Sequence, residues 1–195
     1  MARKAQAKFP EDKAPSLLPA GHPPVKIGNI GVLLVNLGTP DSLDTSAVRR
    51  YLREFLSDPR VIELNKLIWK PILYGAVLTT RPPKTAANYR KIWNMERDES
   101  PLRTITRGQA ERLAEIFSGE RRIKVEWGMR YGNPSIASAV DSLMAQGCDR
   151  ILSVPLYPQF SATTTATAND QLYRALMKIR HMPTVRSVPP YHDDP

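Results

Sequence analysis

The apolar run Val32-Leu33-Leu34-Val35 continues through Asn36 and Leu37 and stops at Gly38-Thr39-Pro40-Asp41. A buried parallel strand reads this way where it leaves the sheet for a helix. Pro40 has no N–H to give to a ladder, and Gly38 tolerates a positive φ, so the strand ends there. Asp44 and Thr45 are caps for the next element. In it Ala47, Val48, Tyr51, Leu52, Phe55 and Leu56 recur at helical spacing, opposite Arg49, Arg50, Arg53 and Glu54. Asp58-Pro59 stops this helix.

A dense apolar stretch follows from Val61 to Leu78, interrupted by Lys66, Lys70, Pro71 and Gly75. The interruptions make it a poor membrane span. It reads either as a buried helix pair or as a hydrophobic lip lying on a membrane or a large apolar ligand. Arg81-Pro82-Pro83-Lys84 is expected to break the chain, with a helix resuming over Thr85 to Ile92. Glu96 to Glu99 reads as a charged loop. From Pro101 a helix carries Ala110, Leu113, Ala114 and Phe117 on its core side and closes at Gly119.

Ile123 to Met129 reads as a second strand, Ile151 to Leu156 as a third and Thr184 to Val188 as a fourth. Between them, Asn133-Pro134 marks a helix start, with Asn as cap and Pro in the first turn. Ile136, Val140, Leu143 and Met144 form that helix's buried face, and Gly147 ends it. Thr163 to Ile179 gives another helix, with Leu172, Ala175, Leu176 and Ile179 inward. Strands alternating with helices predict an α/β fold: a Rossmann-like unit with a four-stranded parallel sheet flanked by helices. The last residues, Tyr191 to Pro195, read as a loop into a further helix, so a truncated chain is expected.

Composition adds little to the fold class: 42% hydrophobic and 24% charged residues describe an ordinary globular chain. Cys148 is the single cysteine of the 195 residues, so no disulfide forms within the chain and no cysteine-rich metal site is available. That suits a reducing compartment, and a cytoplasmic location is expected. The net charge of +9 calls for an anionic partner. No helix-turn-helix, zinc-finger or single-strand-binding signature points to nucleic acid. Residues 1–27 are rich in Pro, Ala and Lys and lack an apolar core, which predicts a disordered basic tail rather than a secretory signal.

The chemistry-bearing residues gather at strand ends. The first strand supplies Gly38 to Asp41, the second Met129 to Pro134, the third Leu156 to Ser161. Ligands of open α/β sheets bind beyond the carboxyl ends of the strands. Arg130, Tyr131, Tyr157 and Phe160 at one cleft suit a flat, aromatic, anionic ligand, since rings stack and arginines pair with carboxylates. A mononucleotide suits them as well, although no G-x-G-x-x-G or phosphate loop is present. His22, His181 and His192 are not placed to share a metal. His181 reads as a solvent-facing helix end.

Together these motifs resemble the ferrochelatase family, enzymes that insert ferrous iron into a porphyrin in haem synthesis. The resemblance runs through Val32 to Pro40, Tyr51 to Asp58, Arg81 to Lys84, Tyr89 to Ile92, Ser100 to Leu102, Met129 to Tyr131 and Leu156 to Ser161. It implies that residues 28–195 form the first of two Rossmann-like halves facing each other across a porphyrin cleft, the second half lying beyond the chain end. It implies that Arg81, Tyr89 and Ser100 hold the porphyrin, that Leu37 touches the macrocycle, and that Arg130, Tyr131 and Tyr157 form its polar wall. It favours the lip reading of Val61 to Leu78, with peripheral contact to a membrane. The family's metal-ligating histidine and its acidic partner would lie in the second half, so no metal ligand or catalytic residue is expected in this chain. This chain has Trp93 to Glu99 where many members carry a glycine-rich run. It also has Ala162 where cluster-bearing members carry a cysteine, so no iron–sulfur cluster is expected. Iron and porphyrin enter as substrates, and no cofactor is implied. Two rival readings remain: a chelatase for another tetrapyrrole or metal, and a non-catalytic α/β module for an anionic ligand.

Overall fold

The central strand β1 (Asn29–Gly38) divides its side chains between two cores in a computed structural model describing residues 27–194. Leu33 and Val35 point to one face, where α5 (Ile136–Ala145) and α6 (Thr167–Leu176) cover them. Val32 and Leu34 point to the other, against α4 (Pro101–Ile116). Both faces are covered, which is why the run is apolar throughout rather than alternating. Its one polar break, Asn36, donates from Nδ2 to Thr106 Oγ1 of α4 at 3.0 Å. The sheet is wholly parallel, in the order β2 (Ile123–Tyr131), β1, β3 (Cys148–Pro155), β4 (Thr184–Ser187). The expected α/β class with four parallel strands is therefore observed.

A third cluster lies at the carboxyl ends of β1 and β2. It joins α1 (Thr45–Leu56), α2 (Lys66–Ile72), a π-helical turn (Leu73–Val77) and α3 (Leu78–Arg90) to Leu37 and Tyr131. The two strands meet at Gly38, whose φ is +111°; a Cβ there would stand 1.8 Å from the Tyr131 carbonyl oxygen. Only glycine permits this approach.

Several local expectations are corrected. Arg81-Pro82-Pro83-Lys84 does not break the chain: α3 runs straight through both prolines. Pro82 cannot donate to the Leu78 carbonyl, but Arg49 Nε from α1 does so at 2.9 Å. Asn133 is not the cap of α5. Its side chain is taken by Asp41, at 3.1 and 3.2 Å, and Ser135 caps instead, accepting from the Ser138 N–H at 3.1 Å. The Glu96–Glu99 loop ends in a buried carboxylate, for Glu99 is 4% exposed and pairs with Arg107. The helix expected over Thr163 to Ile179 is a π-helical turn (Ala162–Ala166) followed by α6, which stops at Leu176, so exposed His181 lies beyond it. The helix from Pro101 ends at Ile116, short of Gly119.

The Val61–Leu78 stretch is not a buried pair. Leu73 is 1% exposed and anchors it, whereas Leu67 is 84% exposed, and Ile68 and Ile72 also stand in solvent. No described helix is long and apolar enough to cross a membrane. The proposed basic tail, with His22, falls almost wholly on residues 1–26, outside the described residues.

Candidate functional site

A concavity of about 630 Å³ opens at the carboxyl ends of β1 and β2, between α1 and the Gln171 and Arg174 side of α6. At its base lies Asp58, just past α1, with its side chain 2% exposed. Four donors converge on this carboxylate. They are Arg130 Nη2, Thr167 Oγ1, the Tyr131 hydroxyl at 2.8 Å, and the Arg60 backbone N–H at 2.8 Å. Arg130 also donates from Nε to Thr167 Oγ1 at 2.6 Å, and its guanidinium lies 4.2 Å from the centre of the Tyr131 ring. Burial raises the Asp58 pKa, but the hydrogen bonds from Thr167, Arg60 and Tyr131 and the Arg130 charge outweigh it. The carboxyl therefore sits below its ordinary range and stays ionised. Burial pushes the Tyr131 phenol the other way, up to about 12.

Beside this network runs a chain of rings. Phe55 meets Tyr131 edge-on at 5.1 Å, Tyr51 meets Tyr89 at 6.4 Å, and Tyr89 meets Trp93 at 6.2 Å. Such edge-to-face pairs fix ring orientation as well as bury area. Burial also raises the Tyr51 and Tyr157 phenols. The Tyr157 hydroxyl is buried without a hydrogen-bond partner.

The residues singled out from the sequence divide accordingly. Leu37, Tyr89 and Tyr157 are half-buried around the aromatic cluster, and Arg81 is exposed on α3. Arg130 and Tyr131 lie within the strand rather than just past its expected end at Met129. They belong to β2, are 6% and 0% exposed, and are bound by the protein's own groups. Ser100 is 2% exposed and spends its hydroxyl capping α4, accepting from the Arg103 N–H at 3.3 Å. Arg81 and Ser100 share no hydrogen bond with the tyrosines. The sequence reading missed Asp58, Glu54 and Thr167. Asp58 left a trace, since an acidic residue at a helix C-terminus opposes the dipole and asks for another partner. Thr167, 109 residues away, left none.

This is a parallel α/β sheet with polar and aromatic groups gathered at its carboxyl ends, where open sheets of this class take ligands. The family model described as ferrochelatase matches residues 29–195. The chain is 66% identical over 191 residues to the ferrochelatase of Mesorhizobium japonicum, covering 98% of this chain and 54% of that protein. Against the ferrochelatase of Rhizobium meliloti the identity is 59%, covering 89% and 51%. Against that of Agrobacterium fabrum it is 58%, covering 92% and 52%. The chain belongs to the ferrochelatase family. It spans about half the length of the curated relatives it matches.

Proposed function

We propose that this chain is part of a ferrochelatase, which inserts ferrous iron into a porphyrin in haem biosynthesis. The observation that carries this reading is the family match running through every strand and helix of the described fold. Residues 28–195 would form the first chelatase-like domain, and the rest of the relatives' length would supply the opposing wall of the cleft. Iron and porphyrin are substrates in this reading. Porphyrin carboxylates and anionic lipid, rather than nucleic acid, account for the net charge of +9.

Half-buried Leu37, Tyr89 and Tyr157, with exposed Arg81, are the direct porphyrin contacts proposed here. The buried Tyr157 hydroxyl, without a hydrogen-bond partner, supports a polar contact there. Buried Arg130, Tyr131 and Ser100 would hold that wall from behind. Metal insertion is eased when the ring bends, exposing its nitrogen lone pairs and loosening their protons. A wall of fixed rings that fits the bent porphyrin better than the flat one lowers the barrier. The bases that take the pyrrole protons would come from the opposing half. Replacing Arg81 by alanine in a full-length protein should weaken porphyrin binding roughly tenfold or more, a loss of about 1.4 kcal/mol. Fluorescence titration with porphyrin measures this, and unchanged affinity removes Arg81 from the site.

The bare side of the Val61–Leu78 stretch supports a peripheral, cytoplasmic-face membrane contact. Leu67 and Ile68 project from it, and Lys66 and Lys70 are exposed beside them. Serine at both Leu67 and Ile68 should lower co-sedimentation with anionic vesicles several-fold. Equal binding by the variant would leave the lip without a membrane role.

A further inference from the structure

The concavity carries more positive charge than the residues discussed so far employ. Four arginines line it, Arg50, Arg53, Arg130 and Arg174, together with three carboxylates, Asp41, Glu54 and Asp58. Each carboxylate is already engaged. Asp58 holds Arg130. Asp41 accepts from Arg103 Nη2 at 2.9 Å and from Asn133, while Glu54 accepts the Gly132 N–H at 3.0 Å and lies 3.8 Å from Arg130. Asp170, one helical turn before Arg174, is held by Arg60 at 2.6 and 2.9 Å. Arg53 and Arg174 have no ion pair among the described residues, and Arg50 has only a long one, at 4.0 Å from an Asp41 already held by Arg103.

Arg50 and Arg53 are three apart on α1 and so share a face, and Arg174 reaches the same hollow from α6. Arginines outnumber carboxylates in the lining of this hollow, and Asp41 is shared with Arg103 from outside it, so an anion bound among the three guanidiniums relieves their mutual repulsion. A second, independent feature points the same way. Thr39 lines the concavity, is 1% exposed, and its Oγ1 is buried without a hydrogen-bond partner. Buried hydroxyls are nearly always satisfied, so this one is a donor in want of an acceptor.

We propose that this concavity binds a multivalent oxyanion, held by Arg50, Arg53 and Arg174, with the Thr39 hydroxyl donating to it. Guanidiniums suit such a ligand because their paired N–H groups match the spacing of carboxylate and phosphate oxygens. Two sources carry this chemistry, the paired carboxylate arms of the porphyrin and a free phosphate-type anion.

Inorganic pyrophosphate, titrated calorimetrically into the chain at low salt, tests the site without any porphyrin. Saturable binding to one site is expected. It should weaken at least about tenfold in Arg53→Gln and in Arg174→Gln, whose exposed positions leave the fold intact by circular dichroism, and by less in Arg53→Lys, which keeps the charge but loses the paired N–H groups. Absence of saturable binding, or equal affinity in the glutamine variants, overturns the proposal. Porphyrin titrated into the pyrophosphate-saturated protein then separates the sources. Competition assigns the site to the porphyrin carboxylates, and independent binding assigns it to a free anion. Because the first titration uses no porphyrin, it stands or falls apart from the ferrochelatase reading.

Discussion

Asparagine in place of Asp58 should destabilise the fold by about 3–5 kcal/mol, the usual cost of removing one partner from a buried ion pair. Arg130, with its side chain 6% exposed, would keep its charge and lose its neutralising carboxylate. Glu54, 3.8 Å from Arg130 but 46% exposed, offers only partial compensation. The Tyr131 and Thr167 hydroxyls would also lose a charged acceptor, and these three donors come from β2 and α6 while Asp58 follows α1. The network thus ties three elements to one atom pair, and its loss loosens the floor of the site. Urea unfolding of the variant measures the effect, and a change under about 1 kcal/mol would show that the network is not holding the floor. Methionine at Arg130, combined with Asp58→Asn, should recover part of the loss because no charge is then left buried. The pH dependence has a definite sign. The folded pKa of Asp58 is lowered, so its contribution is complete above the ordinary carboxylate value near 4. It is lost as pH falls through the lowered folded value, and the asparagine variant should lose this part of the acid limb.

What could be read from the chain was local. The uninterrupted apolar run of β1 announced a strand covered on both faces, and Leu33 and Val32 do face different cores. The alternation of strands and helices was enough for a parallel sheet. What escaped depended on partners distant in sequence. Pro82 looked like a helix stop because the donor that rescues the Leu78 carbonyl, Arg49, stands 29 residues earlier. Asn133 looked like a cap because its competing partner, Asp41, lies 92 residues away. Arg130 and Tyr131 looked like ligand contacts because their types suit one. Only the approach of Asp58 and Thr167 in space commits them to the interior. Tyr89 was singled out by the resemblance and Tyr157 by its place at a strand end, but the surplus of arginines was not legible. Arg50, Arg53 and Arg174 each have acidic neighbours in sequence. Whether those neighbours are free is decided by Arg60, Arg103 and Gly132.

The 195 residues alone should insert no metal into a porphyrin, whereas a full-length family member should do so readily. Insertion needs a ligand that draws the metal ion to the ring and an acceptor for the pyrrole protons. The arginines around the concavity are hydrogen-bond donors only and accept nothing. The buried phenols at or near it hold their protons at neutral pH and so take up none, for burial lifts Tyr131 to about 12 and raises Tyr51 and Tyr157 above their ordinary value as well. The carboxylates are better bases in principle. Asp58, however, is enclosed by four donors and held below its ordinary pKa, and Asp41 is tied to Arg103 and Asn133. Glu54 is the most exposed of the three, yet it too accepts a backbone N–H, at 3.0 Å. Among the described residues no three His, Cys, Asp or Glu side chains gather to hold a metal ion. An anaerobic assay with ferrous or zinc ion, run on this chain and on a full-length relative side by side, measures the difference. Metalloporphyrin formation by this chain at the uncatalysed rate is the expected outcome. Turnover well above it, abolished by Glu54→Gln, would instead make Glu54 the proton acceptor and return the chemistry to this half.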